Sequence, residues 1–257
     1  MIQLKNAKEL AVMRRACEIS ALALRRGGEA IEAGITTAEI DKIIFDFIKR
    51  QGAKPNFKGL YGFPGTACIS VNDEVIHGIP SHAKVIRPGD IVSIDTGAAF
   101  GGFNGDNACT FGCGKLDLEA QRLLDVTRES LHRGIAAAVF GARVGDISNA
   151  VQTYVEENGF SVVRSFVGHG VGKELHEDPE VPNFGPAGRG PRLVAGMTLA
   201  IEPMVNQKHS SVGPQADGWT VKTADGGLSA HFEHTVAITA AGPEVLTKAW
   251  EGPEWTL

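Results

Sequence analysis

Apolar positions near the start of the chain recur at helical spacing. Leu10, Met13, Cys17, Leu24 and Ile31 fall on roughly one face, and Asn6 with Glu9 three residues on has the form of a capping box. This predicts a long helix over residues 7 to 33, ended by Gly34. Thr36 and Glu39 repeat the box, and Ile40, Ile43, Ile44, Phe47 and Ile48 stripe a second helix to Arg50, stopped at Gly52. Residues 54 to 65 are rich in glycine and aromatics and suit a loop beside a pocket. The period then shortens. Residues 67 to 71 and 74 to 77 are short strand candidates, Arg87-Pro88-Gly89-Asp90 is a turn, and IVSID (91 to 95) alternates as a strand. Gly101-Gly102 marks a tight reversal, with strand-like composition resuming from Phe103 to Phe111. A turn centred on Phe100 and Gly101 would set Asp95 directly opposite Asp106, with Cβ atoms about 5 Å apart. Carboxylates that close repel unless one is protonated or a cation lies between them, and an oxygen-bound metal is the economical answer. The competing reading is a solvent-exposed hairpin that merely carries two acids.

The pattern occurs twice. A shift of 107 residues brings Leu24, Arg26, Gly27, Gly34, Ile40 and Gly52 onto Leu131, Arg133, Gly134, Gly141, Ile147 and Gly159. Glu39, Ile44, Phe47 and Ile48 land on Asp146, Val151, Tyr154 and Val155. The same shift carries Gly89 to Gly196, Ile94 to Ile201 and Asp95 to Glu202. Helix ends, apolar faces and a carboxylate agreeing at one offset predict an α/β (α+β) chain of two halves, about 7–112 and 114–240. Each half is a helix pair followed by antiparallel strands, related by a pseudo-two-fold axis within one domain spanning 1–257. Asp95 and Glu202 would then face each other near the axis, which favours the metal reading. Residues 229 to 238 form a further strand candidate, in which Glu233 follows Glu202 as Asp106 follows Asp95. His169 lies between glycines, which let the backbone bend so that the imidazole reaches a ligand site, and His176 stands seven residues on. His82, His132 and His209 are read as structural or surface residues, and His234 as pointing to the far face of its strand.

Composition narrows the class. The chain has 257 residues, is 43% hydrophobic and 21% charged, and carries a net charge of -5, which argues against nucleic-acid binding as its main business. Charges run through the first fifteen residues with no long apolar stretch after them, so neither a signal peptide nor a membrane span is expected. Four cysteines (Cys17, Cys68, Cys109, Cys113) do not make a disulfide framework and are read as reduced thiols of a cytoplasmic protein.

The motifs HGIP (77 to 80), SIDTGAAFGGFNGD (93 to 106), GHGVGKELHEDP (168 to 179), AIEPM (200 to 204) and AHFEHT (230 to 235) together resemble type I methionine aminopeptidases, in order and spacing, over nearly the whole chain. The resemblance implies a pita-bread fold. It also implies two divalent metal ions (manganese, iron, cobalt or zinc) held by Asp95, Asp106, His169, Glu202 and Glu233. Asp106 and Glu233 would bridge, with Asp95 on one ion and His169 and Glu202 on the other. Such a pair lowers the pKa of a shared water and yields a hydroxide nucleophile for the first peptide bond. Glu202 would double as proton shuttle. His77 and His176 would hydrogen-bond the substrate around the scissile amide, the alternative being that they orient the ligands. By position, the methionine pocket maps to Phe57, Leu60, Phe63, Cys68, Leu175 and Trp219, with core packing as the competing reading for Phe57, Leu60 and Leu175.

Two departures stand out. Leu60 and Phe63 replace tyrosines common in relatives, and Gly102-Phe103-Asn104 lacks a frequent acid and histidine, a change treated as minor because these positions are not ligands. The form expected is the compact, bacterial-looking one, without the amino-terminal cysteine-rich extension of eukaryotic cytosolic relatives or the helical insertion of type II enzymes. The implied task is removal of the initiator methionine from nascent chains when the second residue is small. The ribosome is a further candidate partner; a monomer is expected, with no membrane or specific nucleic-acid partner. Rival readings are an X-Pro aminopeptidase or prolidase of the same fold, and a non-catalytic binding module.

Overall fold

A computed structural model describes residues 1–248, so the expected 1–257 domain extends beyond the described residues at its end. Both capping boxes form. The Asn6 side chain accepts the Lys8 and Glu9 backbone N–H groups and the Glu9 carboxylate accepts that of Asn6, starting α1 (Ala7–Glu29). Thr36 and Glu39 do the same for α2 (Thr37–Arg50). α1 stops short of the expected residue 33. Gly27 and Gly28 weaken its last turn, and the Ala30 N–H closes onto the Gly27 and Gly28 carbonyls. Ile31 reaches the core from the loop instead. After β1 (Ala67–Val71), the next short strand ends at Ile76, one residue before the expected His77, whose φ of 58° leaves the extended region.

β2 (Ile91–Phe100) and β3 (Phe103–Gly112) form an unbroken hairpin. The turn residues are Gly101 and Gly102, with φ of 59° and 84°, and Phe100 pairs with Phe103. A two-residue turn of this kind needs both central residues left-handed, which two glycines supply and Phe100 does not. This corrects the expected register. Asp95 sits opposite Ala108 and Asp106 opposite Gly97, so the two acids are diagonal neighbours on one face rather than directly opposed.

The second half repeats the first. α3 (Leu118–Ala137) is capped by Asp117, and α4 (Val144–Glu157) is offset from α2 by 107 residues at both ends. The packing repeats with it. A Cβ on Gly27 would meet Ile44 at 2.8 Å and Ile94 at 3.1 Å, while one on Gly134 would meet Val151 at 2.8 Å and Ile201 at 3.4 Å. These are the same pairs of positions, 107 residues apart. A main hydrophobic core draws on both halves, from Ile19 and Ile44 to Val151 and Val236. β4 (Gly168–Gly170), β5 (Glu177–Val181), β6 (Thr198–Ile201), β7 (Met204–Asn206), β8 (Ser229–His231), β9 (His234–Thr239) and β10 (Gly242–Val245) follow. A five-stranded sheet has the order β10-β9-β6-β4-β5, and β8-β7 extends the β9-β6 ladder past a break.

That break corrects the continuous strand expected over 229 to 238. Phe232 and Glu233 interrupt it at the level of Glu202 and Pro203 in the neighbouring strand, where proline has no N–H for the ladder. The interrupted segment turns instead to the first half. The Glu233 N–H donates to the Ala108 carbonyl at 2.9 Å. The Thr235 hydroxyl accepts from the Asp106 N–H and donates to its carbonyl, and the Thr110 hydroxyl does likewise for the backbone of His231. All four cysteines are buried free thiols, as expected. No described helix is long and apolar enough to cross a membrane.

Candidate metal centre

The seam between the halves gathers the five predicted ligands at the floor of one pocket of about 300 Å³. Asp95 and Asp106 project from the same face of the β2–β3 hairpin; His169 is the middle residue of β4; Glu202 and Glu233 occupy the two strand breaks. Ligand atoms of Asp106, His169 and Glu233 lie within 4.8 Å of one another. The His169 Nε2 is 3.5 Å from Glu202 Oε1 and 3.7 Å from Asp106 Oδ2. Its Nδ1 lies 2.9 Å from the Gly170 carbonyl, which can only accept, so Nδ1 carries the proton and Nε2 presents its lone pair to the carboxylates. Asp95 lines the same floor outside the tight trio.

The electrostatics call for a cation. Burial first, and the Asp106 charge second, push the Asp95 carboxyl far above its usual range. Asp106 is pushed up to about 7, chiefly by burial. Glu202 and Glu233 are raised by burial and then by the neighbouring acids. Burial and the nearby His176 bring His169 down to about 4, leaving it neutral and able to ligate. Asp95 Oδ1, Asp106 Oδ1 and Glu233 Oε1 are buried without a hydrogen-bond partner among the described residues. Buried carboxylate oxygens left unsatisfied around a neutral imidazole are the donor set that a divalent ion with oxygen and nitrogen preference takes up. The residues fit a metal.

The pocket wall carries the rest of the predicted set. Phe57, Phe63, Cys68 and Leu175 form a small apolar cluster distinct from the main core, with Leu60, Ile79 and Trp219 packed on it. Phe57, Leu60 and Leu175 thus line the pocket rather than the general core. The Trp219 ring meets Phe63 edge-on at 5.1 Å and His77 at 6.3 Å. Trp219 arrives on the long excursion between β7 and β8, where the short strand Val212–Pro214 pairs with Val221–Thr223, which in turn pairs with Glu74–Ile76. His77 is brought down to about 4, by burial and then by the His176 charge, and burial lowers His176 also. The His176 ring meets His169 edge-on at 4.5 Å and stacks on Tyr61 at 6.4 Å.

Several residues of the site escaped the sequence reading. His231 is buried with Nε2 3.8 Å from Glu202 Oε2, and strand alternation two residues before Glu233 was a signal for it. Tyr61, Ile76, Phe166 and Val167 also line the pocket. Tyr61, 80% exposed at φ 50° between two left-handed glycines, had no signal beyond the composition of its loop. Asn104, set aside as a minor departure, is buried. Its Nδ2 donates to the Gly172 and Lys173 carbonyls at 3.1 and 3.0 Å, tying β3 to the segment that leads to His176. His234 lies outside the pocket lining and meets Thr247 Oγ1 through Nδ1 at 2.9 Å, as its strand position foretold. His82, His132 and His209 stay away from the site.

Comparison with known proteins agrees with this geometry. The model of metallopeptidase family M24 matches residues 11–240. A methionine aminopeptidase of Clostridium perfringens is 56% identical over 247 residues, covering 96% of this chain and 99% of that protein. The crystal structure of a methionine aminopeptidase from Thermotoga maritima superposes with a TM-score of 0.95 at 46% identity, over 96% of this chain and all of that one. A prolidase from Pyrococcus furiosus shares the fold alone, with a TM-score of 0.77 at 24% identity over 96% of this chain and 66% of that one. With its paired carboxylates, its histidine and a matching sequence from end to end of the repeat, the chain belongs to metallopeptidase family M24, among the methionine aminopeptidases.

Proposed function

We propose that this chain removes the initiator methionine from nascent proteins whose second residue is small, using one catalytic domain built from halves 7–112 and 114–240. The observation that carries the reading is the junction of two environments in one pocket. The acidic floor of Asp95, Asp106, His169, Glu202 and Glu233 meets an apolar wall that includes Cys68, Phe57, Leu175 and Trp219. An unbranched thioether fits a wall of this chemistry. The five floor residues would hold two divalent ions of manganese, iron, cobalt or zinc, which supply Lewis-acid chemistry: water activated towards neutral pH and a polarised carbonyl.

The chain's own residues do the remainder. The apolar wall receives the methionine side chain and excludes water from it. With the methionine side chain seated in that wall, the first peptide bond is the one presented to the floor. His77 and His176, at the pocket's sides, donate to the scissile amide and to the tetrahedral intermediate, where one donor is worth roughly 3 kcal/mol. Glu202 takes the proton of the attacking water and returns it to the departing amine. Cytoplasmic location, a monomeric state and transient contact with the ribosome belong to the same proposal. The test is to strip the protein with chelator, restore Mn²⁺ or Co²⁺, and compare hydrolysis of Met-Ala-Ser, Leu-Ala-Ser and Ala-Pro-containing peptides. Cleavage of Met-Ala-Ser alone is expected; cleavage confined to the proline peptide, or none after metal return, overturns the reading.

A further inference from the structure

Lys5 is a charged residue in an unexpected place. It precedes α1 and is 7% exposed, and its Nζ lies 2.5 Å from Glu177 Oε2, with 5% and 7% of the two side chains exposed. Glu177 directly follows His176. Its second oxygen, Oε1, accepts the Glu174 backbone N–H at 3.2 Å, so one carboxylate ties the amino-terminal arm to the turn that carries Leu175 and His176. The arm is itself fixed. The Lys5 N–H donates to the Gly196 carbonyl at 2.8 Å, and its ammonium donates to the Gln3 carbonyl at 3.2 Å.

The backbone leaves room for this pair. A Cβ on Gly172 would stand 2.4 Å from Glu177 Oε1 and 2.6 Å from Lys5 Nζ. The other end of the same turn is held by Asn104 through the Gly172 and Lys173 carbonyls. Among the described residues no hydrogen bond holds the His176 ring, and the His169 and Tyr61 rings lie against it. The placing of its backbone therefore bears on where the ring stands. A buried ion pair adds little net stability over apolar side chains of the same shape, and its better-attested use is to specify one geometry.

We propose that the Lys5–Glu177 pair is a positioning device for His176, making the amino-terminal arm a working part of the catalytic site. The proposal rests on the reading of His176 as a substrate-facing donor. Lys5 and Glu177 touch no substrate; they act through the turn, and small displacements of a donor cost rate far more than they cost binding.

The test is a double-mutant cycle on the metal-loaded enzyme with Met-Ala-Ser as substrate. Lys5→Met is expected to lower kcat by about 10- to 100-fold with KM within about twofold. In a His176→Ala background it should lower kcat no further, because the donor being positioned is gone. The doubly neutral variant Lys5→Met/Glu177→Gln leaves no unpaired buried charge. It is expected to melt near the parent temperature while its kcat stays low. Independently of turnover, the His176 ring resonances in the NMR spectrum should shift in that variant while those of the exposed His209 do not. Parent-like kcat and an unmoved His176 resonance in the neutral variant, or a Lys5→Met loss that is equally large in the His176→Ala background, would overturn the positioning role alone. A His176→Ala enzyme with full activity would overturn the substrate-donor reading and this inference with it.

Discussion

The two halves of the molecule repeat the same helices and the same helix-to-sheet contacts, yet they deliver their carboxylates differently. The β2–β3 hairpin runs unbroken through ten paired positions and presents two aspartates from regular strand backbone. In the second half the corresponding strands are interrupted at one level, and each interruption holds a glutamate. Short side chains suffice where the backbone is regular and near. Longer ones serve where it has been pulled out of the ladder, on one side by Pro203 and on the other by the turn of Glu233 towards Ala108. Symmetry builds the frame, and departure from symmetry builds the site.

Exchanging side-chain reach between the halves should break that division most severely. Asp95→Glu and Glu202→Asp each retain a carboxylate and move it by one methylene; kcat for Met-Ala-Ser at saturating metal is expected to fall by about 100-fold in each. Near-parental kcat in both would mean that reach is not what distinguishes the halves. Metal removal probes the floor as a whole. Without a cation Asp106 titrates at about 7 against its ordinary 3.8, so the folded protein binds more protons than the unfolded chain between those values. The stability this group contributes is therefore complete below about 4 and lost as pH rises through about 7. Chelated protein should melt at a higher temperature at pH 5 than at pH 7.5. Added Mn²⁺, which needs deprotonated ligands, should reverse the order and contribute roughly 2.7 kcal/mol at a hundredfold excess over its Kd. A chelated melting temperature that rises with pH would contradict this account.

The seam comes next in size. Thr235→Val removes the hydroxyl that serves both backbone groups of Asp106 and should cost about 1–3 kcal/mol in urea unfolding. A loss below a few tenths would show that this hydroxyl does little to hold the halves together. Gly102→Ala tests the hairpin by itself. Its added Cβ meets nothing within 4 Å, so only its φ of 84° is penalised, by about 1 kcal/mol, with kcat unchanged.

What could be read from the chain was what local rules or duplication control. The capping boxes at Asn6 and Thr36 set two helix starts, and the 107-residue shift located α4 and its packing. The resemblance supplied all five floor residues and the six wall residues, and the structure brings both groups together. The misses have physical causes. The hairpin register hung on which turn residues could be left-handed, and Phe100 was given a place that belongs to Gly102. The break at Phe232-Glu233 depends on a partner strand that carries Pro203, distant in sequence. Asn104 and Lys5 act on the 172–177 segment across long sequence separations, and neither residue type announces that use.

The stitching of Thr235 to Asp106 and of Glu233 to Ala108 also has a consequence for biosynthesis. A chain emerging from its amino terminus completes the β2–β3 hairpin while Glu202 and Glu233 have yet to be added. Such an intermediate owns two of the five floor residues and no seam. On the proposed reading, in which all five floor residues serve the reaction, peptide cleavage waits on the docking of the last element.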